Sequence, residues 1–489
     1  MISKKASDSI FILIPGWISR LKGVLFLPLI IKSIGLENYG AYIQIIANVT
    51  ILVPFTHLAM GQATLRFGSK LSDTDREGLR EAFWVPFLFC GISSVILGLF
   101  YILLAPIISH TFLRGLQLGS LYVAAPLIFA NGANLIFLPY INSRKRFKEA
   151  GVFRLLQELL PYLALVAGVY WTQDLRKGLI CSVAASCLLI FIMMIRIAGE
   201  VGMPCFRPAV FKKYLRFSWP IAAMTFTQAN QESIPRYIIP LFMGPAALGI
   251  FNIMYMISRL LNTFNEPFLK YLNSFLPKIW DQGDRTYATH MIERCSLYYI
   301  VAAICAATLI VAGFEDVVRL IMPTVNTGVV SHLEATLIGL CLAALFYGLN
   351  ELAWVAAKLD NKSMIILIGS IIGFIVSIVL TYVLTRFFGL FGTAAAQMLS
   401  VVAIQYFFVK ILPIKRSKSF LISLAKVSLP TTLMGLAVIL IPKADIWSLL
   451  VSMFIGIIVF VLSVFVLKVV TFEEFANLVL DRGLAKVKA

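Results

Sequence analysis

Apolar segments long enough to cross a lipid bilayer recur along the whole chain. About 20 predominantly apolar residues span the hydrocarbon core of a membrane, and this 489-residue sequence contains fourteen such windows. Their approximate limits are 9–31, 39–62, 82–106, 116–141, 152–172, 178–199, 217–241, 246–272, 293–314, 334–357, 363–385, 389–411, 421–441 and 446–468. Windows this long, without alternation, form helices rather than barrel strands. The sequence therefore predicts an all-α polytopic membrane protein with about fourteen transmembrane helices.

The composition agrees with a lipid-facing fold. Hydrophobic residues make up 60% of the chain and charged residues 13%, which excludes an ordinary cytosolic enzyme because too few polar groups exist to cover soluble cores. Six of the seven cysteines lie in apolar windows and no CxxC pair occurs, so neither a disulfide framework nor a metal site is predicted. No cleavage-site pattern follows the first apolar run, which is interpreted as a retained membrane helix.

The distribution of positive charge predicts the orientation in the membrane. Lys and Arg total 42, against 24 Asp and Glu. With a cytoplasmic amino terminus, 31 of the 42 cations fall in cytoplasmic segments, seven in external loops and four inside the membrane. Positive residues accumulate in cytoplasmic loops, so both termini are expected in the cytoplasm. The net charge is therefore interpreted mainly as topology and not as a sign of nucleic-acid binding.

A sequence repeat has an offset of 209 residues. The pattern Ile-Gly-x-x-x-Tyr-Gly-x-Tyr at 34–42 matches Met-Gly-x-x-x-Leu-Gly-x-Phe at 243–251, and Asp75-Arg76 matches Asp284-Arg285. Because both halves begin with a helix of the same orientation, two pseudo-symmetric six-helix bundles are expected. The predicted domains are an amino-terminal bundle (1–210), a carboxyl-terminal bundle (211–415), two appended helices (416–470) and a cytoplasmic amphipathic tail (471–489).

Four cations lie inside predicted membrane spans: Arg20, Lys22, Arg236 and Arg259. A charge at the bilayer centre costs from about 2.5 to more than 10 kcal/mol by different estimates, so each of these residues indicates a function. Arginine binds phosphate bidentately. The four are predicted to bind a substrate diphosphate, with Lys22 in an assisting role.

Acidic and amide side chains accompany these cations. Glu232 and Glu266 are predicted ion-coupling residues, and the predicted cavity-lining residues are Gln228, Asn230, Gln231, Asn48 and Asn262. An α-helical spacing places Gln228, Glu232 and Arg236 on one stripe, and Arg259, Asn262 and Glu266 on another. The alternative is that each glutamate only pairs with the arginine of its own helix. Four cations and two acids leave an excess of positive charge, which predicts an anionic substrate.

Other polar residues in the spans have a simpler interpretation. Interhelical hydrogen bonding explains a lone asparagine at least as often as substrate contact does, and this applies to Asn131, Asn134 and Asn350 with Glu351. His57 is interpreted as structural or interfacial before it is interpreted as a proton relay. Motifs of soluble enzymes are absent from the sequence. The longest external loop, about 315–333, is too short for a catalytic domain, and no catalytic residues are predicted.

Three local motifs resemble those of the Wzx-type polysaccharide flippases, the PST family of the MOP superfamily. They are Ile-Gly-Leu-Glu-Asn-Tyr-Gly-Ala-Tyr at 34–42, Gly-Gln-Ala-Thr-Leu-Arg-Phe at 61–67 and Phe-Gly-Leu-Phe-Gly-Thr-Ala-Ala-Ala at 388–396. The resemblance implies the MOP flippase fold, with two bundles around a central cavity and alternating access. It also implies a bacterial inner membrane and an undecaprenyl-pyrophosphate-linked oligosaccharide as substrate, such as an O-antigen unit.

The same resemblance sets further expectations. Membrane lipids and other polysaccharide assembly proteins are the expected partners, H⁺ or Na⁺ is the expected coupling ion, and no cofactor is expected. Family members often carry Asp-Arg in helix 7, where this chain has Ser233-Ile234-Pro235-Arg236, so the resemblance there extends only to Arg236. The count of fourteen helices resembles the lipid II flippase branch, in which the extra pair forms a groove for the polyprenyl tail. Helices 13 and 14 are expected to do the same.

Two other functions are less favoured than a flippase. A MATE-like antiporter of drugs or organic cations would be expected to carry an uncompensated carboxylate near the midplane, whereas helix 1 has no acid from Ile10 to Ile31. A membrane polysaccharide polymerase or ligase would need larger external loops to hold its catalytic groups. The flippase is therefore the preferred interpretation.

Overall fold

The computed structural model describes residues 2–72, 74–231, 233–316, 327–360, 363–411, 418–441 and 446–467. Within these ranges the regular elements are helices and no strand occurs. The helices are α1 (Ile2–His57), α2 (Met60–Gly68), α3 (Arg76–Leu113), α4 (Leu118–Ala124), α5 (Pro126–Ser143), α6 (Phe147–Thr172), α7 (Leu175–Val201), α8 (Pro208–Gln231), α9 (Ile234–Met243), α10 (Pro245–Arg259), α11 (Glu266–Asp281), α12 (Arg285–Ala312), α13 (Thr327–Leu359), α14 (Ser363–Ile411), α15 (Lys418–Leu440) and α16 (Ile446–Val466), with a short 3₁₀ helix (Leu260–Phe264) between α10 and α11.

Several of these helices join or divide the predicted spans. Eight helical stretches in the described part of the chain are long and apolar enough to cross a membrane. Kinks at Gly35 in α1 and Gly389 in α14 mean that each of these long helices holds two predicted spans. Conversely, turns divide other spans into shorter helices, such as α8 and α9. The chain is a multi-pass, all-helical membrane protein, as predicted.

The backbone reproduces the 209-residue repeat. Gly35 has φ 80° and ψ 169°, and its counterpart Gly244 has φ 83° and ψ 177°. A positive φ is open to glycine because it has no Cβ. The carboxylates of Asp75 and Asp284 both cap a helix, each accepting a hydrogen bond from the backbone N–H three residues later, at 2.9 Å and 3.1 Å. The two halves therefore share local structure at both matched motifs.

The chain packs into two compact units. Unit 1 comprises 1–256 and 381–389, and unit 2 comprises 257–380 and 390–489. The core of unit 1 contains an aromatic cluster in which the ring of Phe83 lies 5.1–5.8 Å from the rings of Trp84, Phe87 and Phe137. The core of unit 2 contains Leu272, Leu352 and the buried Tyr299, among other residues. The predicted domain limits come from the sequence repeat, and they stay predictions.

Within unit 2, the two carboxyl-terminal helices pack against each other and against α12. Met434 of α15 and Phe460 of α16 are buried in this contact, and the Met434 sulfur lies 3.7 Å from the Cys305 sulfur of α12. Leu436 and Phe454 are exposed on the outside. The predicted lipid-tail groove on this pair stays a prediction, and the tail 471–489 lies outside the described residues.

Candidate functional site

The span predicted at 246–272 is not one continuous helix. The helix α10 ends at Arg259, a 3₁₀ helix follows, and α11 begins at Glu266. Pro267 explains part of this break, because proline has no N–H and is favoured in the first turn of a new helix. The predicted stripe is therefore confirmed in part: Arg259 and Asn262 contact each other, whereas the 3₁₀ helix interrupts the α-helical spacing from these residues to Glu266. The break instead places Arg259 and Glu266 at the two helix ends that border it.

The Arg259 guanidinium is held in place by two neutral groups of unit 2. Its carbon lies 4.6 Å from the centre of the Tyr347 ring, a cation–π contact. Its Nη1 donates to the side-chain oxygen of Asn262 at 2.9 Å, while the Asn262 nitrogen donates to the Ala344 carbonyl, also at 2.9 Å. Asn262 is buried. In this position Asn262 orients the arginine. The predicted role of Asn262 in lining a cavity stays a prediction.

A second carboxylate lies beside this break. Glu351 of α13 accepts a hydrogen bond from the Asn265 side chain at 2.9 Å, and the same amide nitrogen donates to the Gly348 carbonyl at 3.1 Å. Both Glu351 and Arg259 interact electrostatically with the Tyr299 phenol. The sequence placed Glu351 among the lesser candidates. The structure places Glu351 in the same cluster as Arg259, although the two residues lie about 90 positions apart in the sequence.

Lys22 has a carboxylate partner that the sequence did not identify. Its Nζ lies 2.7 Å from the Glu158 carboxylate of α6, in a pair whose side chains are 15% and 34% exposed. The ammonium also donates to the Glu158 carbonyl and lies 5.4 Å from the centre of the Tyr162 ring. The signal for Glu158 was present, since it lies well inside a predicted span. Lys22 can bind a substrate anion only if this pair opens.

Arg236 is the intramembrane cation that lacks a carboxylate partner within the described residues. It is half-buried in α9 of unit 1, within electrostatic range of the Tyr39 and Tyr237 phenols. A turn at Ser233 directly precedes α9. The predicted stripe from Gln228 to Arg236 depends on Glu232, which lies outside the described residues, so it stays a prediction. Pro235, in the first turn of α9, fits this new start.

The other predicted site residues lie in varied positions. Asn48 is buried in unit 1, where its side-chain oxygen accepts a hydrogen bond from Gln44 at 3.2 Å. Gln231 is buried at the end of α8. The backbone is helical at three further predicted positions whose side chains lie outside the described part: Arg20, Gln228 and Asn230. Glu232 lies outside the described residues altogether.

The two repeated hairpins contact each other within unit 1. A Cβ atom on Gly40 would lie 1.8 Å from the Pro245 carbonyl oxygen, and a Cβ on Gly249 would lie 2.9 Å from the Leu36 carbonyl oxygen. Only glycine permits such an approach of two backbones. The second glycine of each repeat therefore forms a close hairpin contact, while the first glycine forms the turn. The sequence predicted the turn but not this contact.

The cations and carboxylates described above can bind an anion and can exchange one ionic partner for another. Arginines bind diphosphate oxygens, and the carboxylates of Glu158, Glu266 and Glu351 can compete with an anion for the nearby cations. In the described ranges, no group of three or more His, Cys, Asp or Glu residues could hold a metal ion. Each unit therefore holds cations and carboxylates that support reversible ion binding.

The fold is similar to those of several solved membrane proteins. The chain is similar to the lipid II flippase MurJ in an inward closed conformation, with a TM-score of 0.75 and 16% identity over 96% of this chain and 99% of that one. It is also similar to an inward-facing multidrug resistance MATE family transporter of the MOP superfamily, with a TM-score of 0.58 and 15% identity over 84% and 96% of the two chains. For the MATE multidrug transporter DinF-BH, solved in complex with a small molecule, the TM-score is 0.59 and the identity 14%, over 83% and 94%.

The apolar helices of the described residues define a multi-pass membrane protein. A search of curated protein sequences found no match. Residues 6–270, more than half of the chain, match the family described as "Polysaccharide biosynthesis protein". The chain belongs to this family, which confirms the resemblance to the polysaccharide flippases.

Proposed function

We propose that the protein moves a polyprenyl-diphosphate-linked oligosaccharide from the cytoplasmic to the outer leaflet of a bacterial inner membrane, without catalysis. The observation that carries the proposal is Arg236, a half-buried arginine in a membrane-spanning unit that has no carboxylate partner in the described part of the chain. Among the described residues no acid neutralises this cation, and a half-buried cation is costly unless an anionic ligand binds it. The family membership supports an undecaprenyl carrier and a sugar unit as the rest of that ligand.

The other predicted cations have different roles in this proposal. Arg259 is already oriented by Asn262 and Tyr347, so binding a phosphate oxygen costs it little side-chain entropy. Lys22 binds the diphosphate when its ion pair with Glu158 opens. Arg20 stays a proposed diphosphate-binding residue because of its position in the sequence. The polyprenyl tail remains in lipid beside α15 and α16, and membrane lipids and other polysaccharide assembly proteins are the proposed partners.

Ion coupling follows from the same competition between anion and carboxylate. Protonation of a carboxylate, or binding of Na⁺ to it, frees the cation beside it for substrate. The sequence suggested Glu232 and Glu266 for this role, and both stay proposed. The Lys22–Glu158 pair adds a third candidate, supported by its 2.7 Å separation and its partial exposure. H⁺ and Na⁺ are the two proposed coupling ions.

Alternating access requires the hairpin contact to open. The contact of Gly40 with Pro245 joins the hairpin 34–42 to the hairpin 243–251, which the charge distribution predicts to be on the external side. We assign this contact as the closed external end of the transport pathway. Its release would expose the sugar to the outside while the cations hold the diphosphate.

The test is translocation of a labelled polyprenyl-diphosphate saccharide in proteoliposomes. Arg236→Ala should lower the apparent affinity for this lipid by tenfold or more, because a lost charge-assisted hydrogen bond contributes about 1.5–3 kcal/mol. Lys177→Ala is the matched control, since Lys177 is exposed and lies in a predicted external loop. Equal transport by Arg236→Ala and Lys177→Ala would contradict the proposal.

The second candidate function is a MATE-like antiporter of organic cations. The observation in its favour is the fold similarity to MATE multidrug transporters. Cells that express the chain should then gain tolerance to organic cations, and Arg236→Ala should leave that tolerance unchanged. A saccharide polymerase or ligase would instead lengthen or transfer glycan when purified, which the proposal predicts not to occur.

A further inference from the structure

A break in a membrane helix opens a cavity in unit 1. Helix α1 ends at His57 and α2 begins at Met60, and the two residues between them, Leu58 and Ala59, have φ of 42° and 55°. Left-handed backbone at residues other than glycine is strained, and strain of this kind concentrates at functional sites. Irregular backbone at membrane depth is tolerated where it is buried in protein or lines a cavity.

The cavity at this break has a volume of about 510 Å³, in the range of small-molecule sites. Its polar lining consists of Thr50, His57, Gln62, Asn131, Gln157 and Thr225. The rest of the lining is aliphatic or proline, and no Lys, Arg, Asp or Glu side chain is among the described residues that line it. The cavity is therefore polar but uncharged, unlike the break in unit 2.

The repeat relates this neutral cavity to the charged break. Subtracting the offset of 209 from Arg259, Asn262 and Glu266 gives residues 50, 53 and 57, and all three line the cavity. The matched positions are arginine, asparagine and glutamate in unit 2, and threonine, valine and histidine in unit 1. The cation and the acid of unit 2 therefore have neutral counterparts at the cavity of unit 1.

The lining groups match the hydrogen-bonding pattern of sugars. The Nδ1 of His57 lies 2.9 Å from the Val53 carbonyl and must donate to it, so Nε2 of the neutral ring is an acceptor. The side chains of Gln62 and Asn131 are exposed at the cavity and offer donors and acceptors together. The Gln157 side-chain oxygen is buried with no hydrogen-bond partner. A hydroxyl or N-acetyl group, which both donates and accepts, can satisfy these groups.

We propose that this cavity is the subsite for a neutral sugar of the transported lipid, a hexose or N-acetylhexosamine and not an acidic sugar. The inference rests on the proposed flippase function. A second cavity of about 320 Å³ shares Leu135 and Gln157 with the first and adds Asn142, Arg154 and Glu158 to its lining. It gives room for a further sugar.

The test compares two lipids in proteoliposomes: polyprenyl diphosphate with one N-acetylhexosamine, and polyprenyl diphosphate without sugar. Gln62→Leu/Asn131→Leu should raise the half-saturating concentration of the glycosylated lipid about tenfold or more, because hydrogen bonds to the sugar are lost. Transport of the sugar-free lipid should stay unchanged. Both side chains are exposed, so the substitutions are expected to leave the fold intact. Asn273→Leu is the control, because Asn273 is an exposed asparagine of α11 outside both cavities.

The possible outcomes distinguish a failure of the sugar subsite from a failure of the flippase function. An equal change for both lipids, or no change for either, overturns the sugar subsite while the flippase function stands. If the wild-type protein moves neither lipid, the proposed function fails and the subsite fails with it. A wild-type preference for a uronic acid over the N-acetylhexosamine would contradict the neutral lining.

Discussion

The hairpin contact allows a graded prediction. Gly40→Ala places a Cβ 1.8 Å from the Pro245 carbonyl oxygen, whereas Gly249→Ala places one 2.9 Å from the Leu36 carbonyl oxygen. An ordinary contact begins at 3.4 Å, so the hairpins must separate by roughly 1.6 Å in the first case and 0.5 Å in the second. Overpacking of a tight contact costs about 1–3 kcal/mol, which corresponds to a shift of about 5- to 150-fold away from the closed contact. Gly40→Ala should cause a shift at the upper end of this range.

Hydrogen–deuterium exchange of the purified protein measures this shift directly. Amides in 36–42 and 245–251 should exchange faster in Gly40→Ala than in Gly249→Ala, and faster in both than in the wild type. Gly199→Ala is the control, because it makes the same substitution in a helix where a Cβ meets no atom within 4 Å. If Gly40→Ala exchanges like Gly199→Ala in both segments, the contact does not hold the hairpins together and its assignment as a closed end is wrong.

Three further predictions concern the charged residues and caps. Glu158→Gln should lower thermal stability in detergent by about 1–2 kcal/mol, less than for a fully buried pair, and adding Lys22→Met should restore most of it; no recovery would mean that the pair is not coupled. Asn262→Leu should reduce apparent affinity for a polyprenyl-diphosphate lipid about tenfold without loss of protein, since Arg259 loses its orienting partner; unchanged affinity would contradict that role. Asp284→Ala should cost about 1 kcal/mol of stability through loss of a helix cap, measured by thermal unfolding with Asp281→Ala as control.

The sequence predicted the parts of the fold that depend on local patterns. The apolar windows predict helices because lipid allows few alternatives, and the glycines of the repeat predict turns that the structure has at Gly35 and Gly244. The break at Leu58 and Ala59 contains neither glycine nor proline. The identities of these two residues therefore do not indicate a break.

The site was predicted in its residue types but not in its pairings. The depth of Lys22 and Arg259 in apolar windows identified them as functional candidates. Their partners, Glu158 and Tyr347, lie 136 and 88 positions away along the chain, and a single sequence contains no information about such contacts. The predicted spacing from Arg259 to Glu266 failed because α-helical spacing was assumed across the 3₁₀ helix at 260–264.

In the proposed mechanism the protein moves a lipid-linked saccharide across the membrane by binding its diphosphate. The direct test uses proteoliposomes that contain the wild-type chain and a labelled polyprenyl-diphosphate saccharide, with and without an imposed H⁺ or Na⁺ gradient. Label should become accessible in the opposite leaflet, inorganic pyrophosphate should compete with this transport, and Arg236→Ala should impair it. Label that stays in its original leaflet in protein-containing and protein-free vesicles alike would show that the protein does not move this lipid.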